Sequence, residues 1–187
     1  TLIDDQGEYH IVCLDGIEAL TSLAELRIWG HGPALVLGPL AEVPTLQTLM
    51  FGNCGSSDLS PLSDLPLLSS LTYNDSSLSD LTPLSGLAAL ATLKLDGNQV
   101  TNLDPLAGLT ALRGLLLRDN AVTDLTPLTE LKELGQLDVR GNQITSIEPL
   151  AGLTKLVQLD IAQNQIVSLE PLVGLVNLLN LYVNENP

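Results

Sequence analysis

Aromatic residues make up only 3% of this chain, with one tryptophan, one phenylalanine and three tyrosines, and there is a single methionine. Because hydrophobic residues still reach 45%, any core must be aliphatic and mostly leucine. Positive charge is equally scarce: seven Lys and Arg stand against 22 Asp and Glu, a formal net charge of −15. Phosphate binding needs a surplus of bases, so this balance argues against nucleic acid and against unaided adhesion to anionic lipid. No apolar run approaches the roughly 18 residues of a membrane-spanning helix. Histidine is limited to His10 and His31 and cysteine to Cys13 and Cys54, so no Cys/His grouping has zinc spacing. No P-loop and no GxGxxG follows a strand pattern. Nothing here calls for a cofactor or a metal. The chain begins at Thr1 rather than Met, and is therefore expected to be a processed or excised piece of a longer protein.

What the chain has in abundance is repetition. Residues 96–109 read "DGNQVTNLDPLAGL" and residues 140–153 read "RGNQITSIEPLAGL"; "RDNAVTDLTPLTEL" at 118–131 lies midway. Aligned on the first leucine of each unit, repeats begin at Leu65, Leu87, Leu109, Leu131, Leu153 and Leu175. Val43 extends this 22-residue series upstream, and Leu20 precedes Val43 by 23. The result is seven repeats and a truncated eighth, with residues 1–19 as an amino-terminal cap and half-repeat and 20–187 as the array. Leu14 and Ile17 fall in core register, and the acidic "IDDQGE" before them suits a polar cap or hairpin.

Within a unit the pattern is LxxLxxLxLxxNxIxxLxPLxx. The central LxL alternates with period two and predicts a short strand. A turn at Asn follows, then a return arm with apolar residues three apart, then Pro. Ser60, Thr82, Asp104, Thr126, Glu148 or Glu170 precedes each regular Pro; four of these are favoured N-caps, and Pro is favoured at the first helical position. A short 3₁₀ turn is expected in each return arm. One unit buries too little apolar surface to offset the entropy of ordering its backbone, so the repeats must stack.

Position twelve of the unit reads His31, Cys54, Ser76, Asn98, Asn120, Asn142, Asn164 and Asn186. Evenly spaced asparagines predict a buried ladder in which each amide bonds backbone groups of its turn and of the neighbouring coil. Cys13 and Cys54 would lie two coils apart, roughly 10 Å at about 4.8 Å per strand, beyond disulfide reach, so two free thiols are expected.

The unit resembles the 22-residue class of leucine-rich repeats found in bacterial internalins and in the regulatory subunit of type-1 protein phosphatase. "LTKLVQLDIAQNQIVSLEPLVG" (153–174), with "PL" in its return arm, is most similar to the internalin version. The resemblance covers about residues 14–187 and implies an α/β solenoid: a right-handed leucine-rich repeat superhelix of about seven and a half repeats. A parallel β-sheet would line its concave side and 3₁₀ turns its convex side. It also implies binding of a protein partner on the concave face, in a bacterial surface or secreted protein. An intracellular scaffold regulating an enzyme such as a phosphatase is the alternative, as is the targeting arm of an enzyme whose catalytic domain lies beyond Pro187. Three departures stand out. Position twelve lacks asparagine in its first three copies, Ser56 replaces an aliphatic at position fourteen, and "GHGPALVLGPL" (30–40) breaks the spacing. The chain stops mid-repeat, leaving Leu178, Leu181 and Val183 on a strand whose edge is expected to be uncovered, which would permit end-to-end contact. Internalins typically continue there into an immunoglobulin-like domain.

With positions seven and nine inward, positions six, eight and ten face outward from the sheet. The expected partner-binding residues are Arg27, Trp29, Met50, Lys94, Asp96, Leu116, Arg118, Asp138, Arg140, Asp160 and Tyr182. This face holds as many bases as acids although the whole chain is acidic, and Trp, Tyr, Met and Arg are enriched in protein interfaces. Trp29 could instead pack under the "GHGP" loop, Tyr182 could be an end contact, and the charged residues could pair among themselves across strands. Phe51 and Tyr73 fall at position nine and should be core. Asp138 and Asp160 form a neighbouring acid pair, which on an open sheet lacks the pocket that acid–base catalysis or calcium binding requires. "NDS" at 74–76 matches a glycosylation acceptor, but Ser76 belongs to the ladder. On this reading, Trp29→Ala or Arg118→Glu should weaken binding without much loss of stability, and Asn142→Ala should do the reverse.

Overall fold

A computed structural model describes residues 2–3, 9–10, 13–29, 35–53, 55 and 57–187, the first two pairs as backbone only. His31, Cys54, Ser56 and the "GHGP" stretch therefore lie outside the described residues, as does the side chain of His10.

Short strands β1 (Leu2–Ile3) and β2 (Tyr9–His10) pair antiparallel. The array then contributes one strand per repeat: β3 (Glu25–Trp29), β4 (Thr48–Gly52), β5 (Ser70–Asn74), β6 (Thr92–Lys94), β7 (Gly114–Leu116), β8 (Gln136–Asp138), β9 (Gln158–Asp160) and β10 (Asn180–Tyr182). They form one parallel sheet in strict chain order. Equivalent positions sit side by side, so that Leu93 pairs with Leu115, Leu115 with Leu137 and Leu137 with Leu159. Each return arm carries a 3₁₀ turn, from Ile17–Ala19 through Asp104–Leu106 to Glu170–Leu172, and no α-helix occurs among the described residues. The fold is the leucine-rich repeat solenoid that the resemblance implies.

The core runs unbroken along the axis. Positions 1, 4, 7, 9, 14, 17 and 20 are buried throughout the coils that begin at Leu65, Leu87, Leu109 and Leu131, as in Leu109, Leu112, Leu115, Leu117, Val122, Leu125 and Leu128. Phe51 and Tyr73 occupy position nine, fully buried, edge to face with centroids 5.7 Å apart. Leu14 joins the core and Ile17 packs against it.

The helical caps differ from expectation. Ser60, Thr82, Asp104, Thr126, Glu148 and Glu170 are the first helical residues, with Pro second, and the N-cap position is an apolar residue such as Leu59 or Leu103 that makes no side-chain cap bond. A core leucine at the cap position cannot accept a hydrogen bond, so the acceptor moves one residue upstream. Asp58, Asp80, Asn102 and Asp124 accept the N–H of Ser60, Thr82, Asp104 and Thr126 at 2.8–2.9 Å, and Ser146 and Ser168 do the same for Glu148 and Glu170. The hydrogen bonds from the Ser60, Thr82 and Thr126 side chains, then from their backbones, hold the Asp58, Asp80 and Asp124 carboxyls below the usual aspartate range.

The turn also explains why near-copies recur at 44 residues. Position eleven is left-handed in successive coils: Asn53, Asp75, Gly97, Asp119, Gly141, Gln163 and Glu185 all have φ between 53° and 68°. A non-glycine residue pays roughly 1–2 kcal/mol for this. A Cβ on Gly97 would lie 2.3 Å from Asp75 Oδ1, and one on Gly141 would lie 2.2 Å from Asp119 Oδ1. An aspartate leaning over the next coil thus requires glycine there, and Asp–Gly alternation doubles the period.

Candidate functional site: the concave sheet face

The asparagine ladder comes first, because it dictates what the sheet face must do. Asn142 donates from Nδ2 to the carbonyls of Leu117 and Val139, both at 2.9 Å, and its Oδ1 accepts the Val122 N–H at 2.9 Å. Asn98, Asn120, Asn164 and Asn186 repeat this geometry. Ser76 bonds its own coil at the Asn74 carbonyl and offers its N–H to Asn98 Oδ1. Five asparagines behave as the spacing predicts.

Each position-nine carbonyl from Leu95 to Ile161 accepts two ladder amides. In a continuing parallel sheet, that carbonyl would take the position-ten N–H of the next coil. The displaced N–H needs another acceptor, and side chains of the concave face supply it. Asn74 Oδ1 accepts from Asp96, Asp96 Oδ1 from Arg118, Asp138 Oδ1 from Arg140, and Asp160 Oδ1 from Ala162, all at 2.9–3.1 Å. The acids named as partner-binding residues therefore have a second, structural duty that residue spacing alone did not disclose. Asp138 and Asp160 are correspondingly sunk to 5% and 9% exposure, instead of standing clear of the sheet as expected. Burial pushes the Asp96 carboxyl up despite the Arg118 N–H and the nearby Lys94 charge.

Among the charged residues, cross-strand pairing is realised in part. Arg118 Nη2 reaches Asp138 Oδ2 at 2.9 Å, which holds the guanidinium charged. The expectation that Arg118→Glu would spare stability is thereby corrected, because it would set an acid against the buried Asp138. Arg140 occupies the equivalent place one coil on, yet its Nε donates to Gln163 Oε1 at 2.9 Å, and Gln163 in turn bonds Glu185. Arg27 pairs with Glu25 on the same strand, both well exposed. Met50, Lys94 and Leu116 are half-buried on the face.

Trp29 lies at the amino-terminal end of the face and is 61% exposed. It pairs in register with Gly52, and a Cβ on Gly52 would meet the indole at Cε3 and Cζ3 at 2.3 Å. The ring therefore rests on the neighbouring strand where glycine leaves room, with most of its surface outward. Its seat, Gly52, went unremarked in the sequence although it occupies the same repeat position one coil on. Tyr182, 47% exposed, marks the other end. Cys13 is an exposed free thiol, while the matching expectation for Cys54 lies outside the described residues. No helix of the described residues is long and apolar enough to cross a membrane.

The family of Leucine Rich repeats (2 copies) matches residues 110–152 and 132–173, two windows offset by one coil. Internalin C2 (inlC2) of Listeria monocytogenes str. 4b F2365 superposes with a TM-score of 0.85 at 34% identity, over 93% of this chain and 76% of that one. The chain belongs to the internalin-like leucine-rich repeat family. An internalin (inlF) of the same strain gives a TM-score of 0.84 at 31% identity, covering 91% of this chain and 50% of that one, so this internalin-like chain spans half the length of that relative. The plant peptide hormone receptor RGFR1, solved in complex with RGF2, shares the fold at a TM-score of 0.72 and 19% identity, over 91% of this chain and 33% of that receptor. No curated protein matches the chain. Repeats of this family form protein-interaction modules, and this internalin-like array is built as one.

Proposed function

We propose that the array is a non-catalytic recognition module that holds a protein partner against its concave sheet, as the ligand-binding part of a bacterial surface or secreted protein. The observation that carries this reading is the indole of Trp29, seated on Gly52 with its outer surface bare. A large ring fixed on a strand offers contact area at little entropic cost, the property of an interface anchor. Arg27, Met50, Lys94, Leu116 and Tyr182 extend the same face, and the internalin relatives support the surface assignment.

The test is capture from host and bacterial extracts, followed by crosslink mapping. Crosslinks should fall on the strand face, and Trp29→Ala should cut recovery of the captured protein at least tenfold while Thr145→Lys, on the far side of the solenoid, leaves it intact. Crosslinks confined to the 3₁₀ turns, or full recovery with Trp29→Ala, would refute the reading.

A further inference from the structure

We infer that Asp160 and Tyr182 form a subsite on the concave face for a cationic side chain, arginine or lysine, of the bound protein. This rests on the concave-face reading and specifies the chemistry of its partner.

Asp138 and Asp160 are register partners on β8 and β9, and the Oδ1 of each accepts the N–H two residues ahead. Their second oxygens differ. Asp138 Oδ2 holds Arg118, twenty residues upstream. Arg140 stands the same twenty residues before Asp160, but it is drawn aside to Gln163. Among the described residues the Asp160 carboxylate makes no ion pair and accepts no hydrogen bond other than that of the Ala162 N–H. No fully enclosed side-chain oxygen there lacks a hydrogen-bond partner, so Oδ2 opens onto the concave surface. Asp160 is thus nine-tenths buried, its carboxylate anchored by one oxygen, while the other makes no contact ion pair and feels Arg118 only at longer range.

The surroundings fit a flat cation. Tyr182 is the register partner of Asp160 on β10, one strand spacing of about 4.8 Å away, and its half-exposed ring can wall one side. A guanidinium or ammonium placed here would meet a carboxylate oxygen and an aromatic face together. The chain's net charge of −15 would draw a basic segment toward the sheet.

The probe is N-acetyl-arginine amide, titrated into the ¹⁵N-labelled 187-residue chain with N-acetyl-citrulline amide as the neutral isostere. Expected is saturable, millimolar binding of the arginine compound, with shifts centred on Asp160, Ala162 and Tyr182, and none with citrulline. Asp160→Asn keeps the acceptor for Ala162 N–H, so it should fold normally and bind at least tenfold more weakly. Tyr182→Ala should weaken binding about fivefold, the size of an exposed cation–π contact. Shifts that fail to saturate, or an unaltered affinity in Asp160→Asn, overturn the subsite. Binding seen only in Arg140→Gln overturns it too, because Arg140 then fills the notch itself. Since this titration uses no protein partner, its failure is separate from failure of the capture experiment.

Discussion

Asn142→Ala offers a demanding test of the physical picture, because its cost can be worked from the structure and set against a matched site. The asparagine is 8% exposed, and its removal has unequal consequences for its three main partners. Leu117 and Val139 carbonyls retain a second amide, from Asn120 and Asn164 respectively. Losing those two bonds should cost about 0.5–1.5 kcal/mol each. The N–H of Val122 has no other acceptor in a fully buried residue and is orphaned, at about 1–3 kcal/mol. The total is about 2–6 kcal/mol, centred near 4. Asn186 makes the same set of bonds, to Ile161, Val183 and Ile166, but is only half-buried on the last coil. Water can replace its amide, so Asn186→Ala should cost less than about 1 kcal/mol. Urea unfolding gives both values, and hydrogen exchange at the Val122 amide reports the local effect, where Asn142→Ala should accelerate exchange by orders of magnitude. Equal destabilisation by the two variants would refute the argument that burial, rather than bond count, sets the ladder's worth.

Asp96 makes a prediction of opposite sign to the exposed turn acids. Burial raises its pKa, so its charge costs stability at neutral pH, and that cost disappears as the pH falls through its folded value. Asp96→Asn keeps the acceptor for Arg118 N–H, as Asn74 does for Asp96, and should raise the melting temperature at pH 7 but not at pH 3. Asp58, Asp80 and Asp124 have lowered pKa values, so their contribution is complete above the ordinary aspartate value of about 3.9 and is lost as pH falls through the depressed ones. Replacing all three by Asn should flatten the loss of thermal stability between pH 5 and pH 2; an unchanged acid slope would discount these turns. Gly141→Ala should destabilise by about 1–3 kcal/mol through its left-handed φ and its clash with Asp119. Adding Asp119→Gly should recover the clash part but not the backbone part, as a double-mutant cycle in urea would show.

How much of the face was legible in the sequence follows from which forces act within one coil. Trp29, Arg118 and Tyr182 could be placed on the outward positions because strand alternation is local. The seat for Trp29 was legible in principle, since Gly52 shares its repeat position. The capping acceptors were misplaced because a core leucine takes the N-cap site, a packing demand that N-cap preferences do not contain. The acids were read as projecting because nothing in a single coil shows that the ladder amides occupy the position-nine carbonyls.

By itself the sequence determined the period, the inward leucines and the asparagine ladder, since each follows from side-chain direction and repeated spacing, while the parallel sheet was what the family resemblance implied. Tertiary structure decided the rest: which N–H groups the ladder displaces, why Asp138 and Asp160 sink toward the backbone, and why Arg118 finds an acid while Arg140 turns to Gln163. Those outcomes depend on competition between neighbouring coils for the same carbonyls and carboxylates. Such competition exists only once the coils are stacked within hydrogen-bond reach.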